Sequence, residues 1–393
     1  MELETFKDLI QSANINFLIG SGLSRPYLST LGNIENVLAA LNINTSIDER
    51  KKNIIAASVY KKYFEEVMQP NHSNNIPPAG TNEGDNYQYV LSQYKTFLQH
   101  WALILHRRSN SLLSRQINLY STNIDVFMER AAEETKVEFN DGFRGSLNQV
   151  FDETMFQKRV LKNSVHFQNT TEVPTFNLLK IHGGINWIEN GDSIKNDPTL
   201  SQIVKIQVSI ETAHKSGAEF LELTDLDTMI QDYEFLDNPD KTEDLIKPFI
   251  EEYNRMVMVN PNKGKFSLTV LDAHFYEMIR MLSNSLEKEN SLLLVMGFSF
   301  ADEHILNIVC RAARRNPTLQ IIIFAFEDNC VEEYENKFKG LPNVSILSPS
   351  NLIYENKKIA SKFSFEGINT VFSLINTVFS LISKLIPNRS YYG

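Results

Sequence analysis

Residues 291–326 constrain the fold of this chain more than any other stretch. SLLLVMG (291–297) and LQIIIFAF (319–326) are continuous apolar runs. Between them DEHILNIVCRAARR (302–315) carries apolar residues at helical spacing and cations in its last turn. A strand without polar alternation needs cover on both faces. Strand, helix and strand in this order therefore predict a parallel sheet wrapped by helices. Three more segments extend it. INFLIGSG (15–22) reads as a strand entering a tight turn, INLYS (117–121) as a strand followed by the helix-like DVFMERAAEE (125–134), and FNLLKI (176–181) as a third strand. The expectation is an α/β fold with a doubly wound, Rossmann-like parallel sheet over residues 1–350.

Two insertions interrupt that domain, at about 37–113 and 191–253. The first reads as mostly helical, broken by the polar loop NHSNNIPPAGTNEGDNY (71–87), which has almost nothing to bury and is expected to be mobile. The second is polar and acidic with little periodicity. Residues 267–288 regain helical spacing. The tail, 351–393, contains NTVFSLI at 369–375 and again at 376–382. Val371, Phe372, Ile375, Val378, Phe379, Ile382 and Leu385 fall 3 and 4 apart, on one side of an amphipathic helix. Such a stripe docks on its own domain or joins subunits. As a membrane span it is barely ~20 residues long and rich in Asn, Thr and Ser. Because an exposed stripe of this size signals a partner, self-association into a homo-oligomer is expected.

Composition narrows the function. The 393 residues hold 38 Lys+Arg against 48 Asp+Glu, a net charge of −10. That argues against unspecific coating of nucleic acid, which needs excess cations. Two cysteines, Cys310 and Cys330, cannot build a four-cysteine zinc ribbon, and no metal site is expected. MELETFKDLIQ has no apolar leader, so a reducing cytoplasm is the expected compartment, with no membrane.

The chemistry-bearing residues cluster at strand ends, where open α/β sheets bind ligands. Gly20-Ser21-Gly22-Leu23-Ser24-Arg25 follows the first strand. Glycines there let backbone N–H groups approach a phosphate, although the third glycine of GxGxxG is missing. Ser121-Thr122-Asn123-Ile124-Asp125 ends the second strand; an Asn-x-Asp there is also the pattern of a helix cap. His182-Gly183-Gly184 ends the third. A histidine at this place is either structural or a base, and the glycines would open space beside the ring. Gly297-Phe298-Ser299-Phe300 ends the fourth, with Asp302 placed to cap the next helix. Glu327, after strand 319–326, could hold a ribose diol. Four such strand ends point to one shared ligand crevice.

The series GSGLS, STNID, KIHGG and GFSF resembles the NAD-binding fold of sirtuins. STNIDVFMERAAEE, FNDGFRG, LLKIHGGINW, MVNPNKGKF and GFSFADEHILNIV resemble most the sirtuin-like NAD hydrolases of bacterial anti-phage defence of the HerA-associated type. The resemblance is scattered over 15–330. It implies that Asn123 and His182 are catalytic and that Asp125 holds the nicotinamide carboxamide. It further implies that Gly20, Ser21, Gly22 and Ser24 form the phosphate and ribose turn, that Gly297 and Ser299 face the adenosine half, and that Lys265 lies near the pocket in a role left open. RPYLSTLGN departs from the G-I-P-x-F-R-like segment of sirtuin deacetylases, and their zinc ribbon is missing, so protein deacylation is disfavoured.

What remains is cleavage of the nicotinamide–ribose bond, with NAD+ as substrate and no cofactor. Nicotinamide leaves as a neutral ring, so the leaving group needs little acid help and charge develops on the ribose. An asparagine amide can hold a water and a ribose hydroxyl together, and a near-neutral imidazole can take the proton. The implied role is NAD depletion in anti-phage defence, beside a HerA-type hexameric ATPase that would itself engage nucleic acid. The alternatives are a sirtuin-like deacylase or ADP-ribosyltransferase, a non-catalytic NAD or ADP-ribose sensor, and an assembly subunit. Loop 71–87 and segment 191–253 are the expected gate over the site.

Overall fold

Continuous apolar strands result when both faces of a sheet are buried, and the large sheet here has a separate core on each side. The computed structural model describes residues 2–30, 32, 34–108, 112–166, 169–191, 193–259, 270–355 and 357–385, with side chains at 270–272 and 381–385 left aside. The seven strands of the large sheet are β1 (Asn14–Ile19), β2 (Gln116–Ser121), β3 (Glu138–Asn140), β4 (Thr175–Lys180), β5 (Ser291–Met296), β6 (Gln320–Phe324) and β7 (Val344–Leu347). They run parallel throughout, in the order β7-β6-β5-β1-β2-β4-β3. The chain passes from β1 to β2 and then to the edge strand β3, steps back to β4, crosses to β5 and winds outward through β6 and β7. This is a Rossmann-like α/β fold, with its switch point between β1 and β5.

Side-chain alternation divides the strands between the two cores. Ile15, Phe17, Leu292 and Leu294 face a core completed by α1 (Leu3–Ser12), α4 (Asn82–Arg107), α5 (Phe127–Thr135) and α12 (Phe365–Leu385). Leu18, Leu293 and Val295 face the other, with α9 (Val270–Glu287), α10 (Glu303–Arg315) and α11 (Val331–Lys337). α4 is therefore part of the sheet domain and not of an insertion. The Phe17 ring meets Phe97 and Trp101 edge-on at centroid distances of 5.1 and 4.9 Å.

Loop 71–87 is shorter and better held than its polarity suggests. Thr81 caps α4 by accepting from the Gly84 amide, so the helix begins at Asn82. Asn71 is fully buried and donates to the carbonyls of Val67 and Met68. Asparagine here replaces missing backbone pairing, which a mobile loop would not need.

The two insertions fold together. α2 (Ile34–Ile43), α3 (Glu49–Tyr63), α6 (Ser201–Lys215), α7 (Leu226–Tyr233) and α8 (Pro239–Asn254) share one apolar core, including Ile55, Ile206, Phe249 and Tyr253. Arg50 ties α3 to Asp240 and Glu243 on α8. Segment 191–253 is thus no irregular insertion, and Ile203, Ile206 and Ile210 supply its buried stripe. Its first residues, Ser193–Asn196, belong to a separate five-stranded sheet with Gly183–Asn190 and Met256–Met258.

The tail stripe is covered by its own chain. Val371, Phe372 and Ile375 are fully buried, and α12 lies along α4 in the same direction. Asn369 donates to the carbonyl and side-chain oxygens of Gln93 and Asn376 to the His100 carbonyl, so the seven-residue repeat is matched by a seven-residue step on α4. Buried asparagines of this kind fix helix register. The exposed stripe from which self-association was expected is therefore not found among the described residues, where these side chains pack on their own domain; the side chains of Ile382 and Leu385 fall outside them. No described helix is long and apolar enough to cross a membrane.

Candidate active site

Strand register decides what meets at the carboxyl edge. Ile19 is level with both Met296 and Ser121, and Ser121 is level with Lys180. The chain therefore leaves β5, β1, β2 and β4 at one height. Backbone bonds continue into the turns: Thr122 N–H donates to Ile19, Ile181 N–H to Ser121, and Gly22 N–H to Gly297.

The turns after β1 and β5 touch directly. A Cβ on Gly20 would lie 2.4 Å from the Gly297 carbonyl oxygen, and one on Gly22 would lie 2.9 Å from it. Gly297 itself has φ +61° and presses on Leu23. These glycines serve turn-on-turn contact first, a different reason from the phosphate approach suggested by the sequence. Likewise Gly183, at φ +75°, would clash with the Val257 carbonyl, so it allows strand packing and not free space beside the imidazole.

Above these turns lies a cleft of about 710 Å3, within the range of roughly 300–1,000 Å3 usual for ligand sites. Ser21, Gly22, Ser24, Asn123, Asp125, His182, Gly297 and Ser299 all line it. The helical lobe supplies Glu35, Tyr63 and Val67 to the wall, and Phe363, Ser364 and Phe365 close another side.

A one-way hydrogen-bond chain runs along the floor. Ser24 Oγ donates to Asp125 Oδ2 at 2.7 Å. With that proton spent, the Tyr94 hydroxyl, 3.0 Å away, donates to Ser24. Asn123 Nδ2 in turn donates to the Tyr94 oxygen at 3.3 Å. Bonds in such a chain polarise one another. Among the described residues the buried Asn123 Oδ1 has no partner. Leaving a buried acceptor unpaired costs ~1–3 kcal/mol, so a donor from a ligand or water is favoured there.

Asp125 is buried beneath the cleft. Burial pushes its carboxyl above the usual range, opposed by the Ser24 bond and by Lys180. It also accepts from Phe127 N–H, so the helix-cap and site readings hold together. Lys180, itself buried, donates to the Asp125 carbonyl at 2.7 Å and pairs with Glu129 at 2.5 Å. Asn71 accepts from Val126 N–H, and Arg130 bonds its carbonyl. The start of segment 71–87 therefore clamps the Asn123–Asp125 turn.

His182 Nε2 lies 3.2 Å from Asp302 Oδ2. Asp302 caps α10 as expected, accepting from the amides of His304 and Ile305. Burial would raise its carboxyl, but the His182 bond and the helix amides hold it below the usual range.

Some sequence-predicted residues fall elsewhere. Gly20 supports the turn without lining the cleft. Glu327 is not among the lining residues; it pairs with Lys362 at 2.5 Å, and a ribose-binding role is not supported. Ser24 donates its proton to Asp125, which differs from a free ribose contact. Lys265 lies outside the described residues. Sequence reasoning missed Tyr94, Asp302 as a histidine partner, and Arg25. Arg25 is exposed and, among the described residues, has no ion pair and is the one Lys or Arg that lines the cleft. Its place directly after the GSGLS turn was the available signal.

No protein-family model matches the chain, and no curated protein matches it.

Proposed function

We propose that this protein is an NAD+ hydrolase of the sirtuin-like type, releasing nicotinamide and ADP-ribose. The observation that carries this reading is the convergence of Asn123 and His182 on one cleft at the carboxyl edge of a parallel sheet. Among the described residues the cleft also offers the cation of Arg25 for a diphosphate, and the carboxylates of Glu35 and Asp125 for a cationic nicotinamide ribose.

In this reading the C1′–N1 bond breaks and nicotinamide departs neutral. Positive charge develops on the ribose, which water attacks from the face held by Asn123. Asn123 Oδ1 receives the donor it lacks, a ribose hydroxyl or the water itself. His182 takes the proton lost by that water and releases it to solvent. Asp125 orients the carboxamide. Orientation and exclusion of bulk water carry most of the rate.

The biological setting rests on resemblance: NAD depletion during phage infection, in a complex with a HerA-type hexameric ATPase. The net charge of −10 suits a division of labour in which that ATPase engages nucleic acid. A homo-oligomer remains a proposal, to be tested by native mass. Segment 191–253 would gate the site through the helical lobe it shares with α2 and α3, whose Glu35 and Tyr63 line the cleft.

The test is to incubate purified protein with NAD+, alone and with a HerA-type ATPase, and follow nicotinamide release. Release that disappears in Asn123→Ala supports the reading. NAD+ or ADP-ribose binding without release in either condition would overturn it in favour of a sensor.

A further inference from the structure

Asp302 holds two sets of donors at once. Oδ1 accepts from His304 and Ile305 at 2.9 and 3.1 Å, and Oδ2 lies 3.2 Å from His182 Nε2. Both Asp302 and His182 line the cleft, and neither is fully buried. The helix amides leave the aspartate no freedom to swing away, because its rotamer is fixed by the cap. An ionised carboxylate only accepts hydrogen bonds. Nε2 must therefore carry the proton, and Nδ1 is left as the ring's acceptor.

We propose that Asp302 is the positioning residue of this site, locking His182 in the Nε2–H tautomer so that Nδ1 is the nitrogen that takes the proton during cleavage. This rests on the reading of His182 as the proton acceptor. The α10 N-terminus is thereby made part of the machinery at the end of β4, although the two are 120 residues apart in sequence. A carboxylate behind an imidazole also stabilises the imidazolium that forms when the proton arrives.

Two substitutions, D302N and D302S, separate this role from helix capping. Asn and Ser cap helices about as well as Asp, so both variants keep a cap. In D302N the amide can donate to Nε2, which lets the proton move to Nδ1. In D302S the side chain is too short to serve both partners. The full chain, labelled with 15N-histidine, gives the tautomer by nitrogen chemical shift, with H182Q identifying the signal. The expected result is a single Nε2–H tautomer in the wild type that gives way to Nδ1–H in D302N and to a mixture of both in D302S. Melting temperature and ADP-ribose affinity should be unchanged, and kcat should fall roughly 10–100-fold with KM preserved.

Persistence of the tautomer in both variants would overturn the proposal. So would a fall in kcat that merely follows a fall in melting temperature, since Asp302 would then be a cap alone. Absence of nicotinamide release from the wild type would remove the hydrolase reading instead, and the tautomer measurement would still decide whether Asp302 controls His182.

Discussion

The amide nitrogen of Asn123 donates to the hydroxyl of Tyr94 across 3.3 Å, joining a strand-end turn to the middle of α4. Tyr94 is fully buried, and its ring stacks on Phe127 at 5.7 Å. Its hydroxyl is therefore a fixed post. Tyr94→Phe should lower kcat for nicotinamide release roughly 10-fold, with KM little changed. The stability cost should be ~1 kcal/mol, one buried hydrogen bond. Steady-state kinetics and urea unfolding check both, and a wild-type kcat would show that the post is dispensable.

Asn123→Ala should reduce nicotinamide release ~10²–10³-fold, the usual consequence of losing one positioned polar group in a shielded site. The fold should persist, because the lost side chain leaves Ser24, Tyr94 and Asp125 paired to one another. Circular dichroism alongside the assay would separate loss of chemistry from loss of structure.

Asp125 gives a pH prediction. Its carboxyl is raised in the folded state by burial. A folded pKa above the unfolded one means that folding holds the proton more tightly. The contribution to stability is then fully present below the unfolded value of 3.8 and is lost as pH rises through the folded pKa. Glu129 and Asp141 are raised by burial in the same sense. Asp125→Asn keeps the shape and still accepts from Ser24. It should raise the melting temperature more at pH 8 than at pH 4, while nicotinamide release is lost. A variant stabilised equally at both pH values would contradict this linkage.

Arg25→Ala should raise KM for NAD+ about 10-fold and leave kcat near the wild-type value. A charge-assisted bond is worth ~1.5–3 kcal/mol, discounted for an exposed guanidinium. Nicotinamide riboside, which has no diphosphate, should be cleaved equally by both proteins. Equal losses on both substrates would mean that Arg25 does not meet the phosphates.

Phe372→Ala should cost ~3–5 kcal/mol, the range for a large buried ring. Phe372 contacts Phe17, Phe97, Trp101 and Phe324, with centroids 5.0 to 6.4 Å apart. Native mass spectrometry should show no change in subunit number. A variant of unchanged stability and lower mass would restore an intersubunit role for this face.

Strands β1, β2, β4, β5 and β6 were legible because each is an apolar run bounded by turn residues. β3 and β7 were not: Glu138–Asn140 is three residues long, and Val344–Leu347 carries a serine and is only half buried. The helices of segment 191–253, and their union with the helical first insertion, escaped detection for a different reason. Their core is shared by segments some 150 residues apart, so each alone shows only half of a buried surface. The strand-end residues were legible by type and place. Tyr94 was not, because it reaches Ser24 across 70 residues from a helix whose other aromatics are plain core. The packing role of the glycines was not legible, since nothing local reveals that two turns lean on each other.

Phe365 is both a wall of the cleft and the first residue of α12, and its ring stands edge-on to Tyr94 at 4.8 Å. Every motif residue lies before position 330. A fragment ending at residue 350 would contain the whole signature and still lack one side of the pocket and the backing of Tyr94. A premature stop or a protease cut in the connecting stretch before α12 would therefore silence the protein while leaving each recognisable motif intact, and a survey of truncated genes by motif alone would score such alleles as functional.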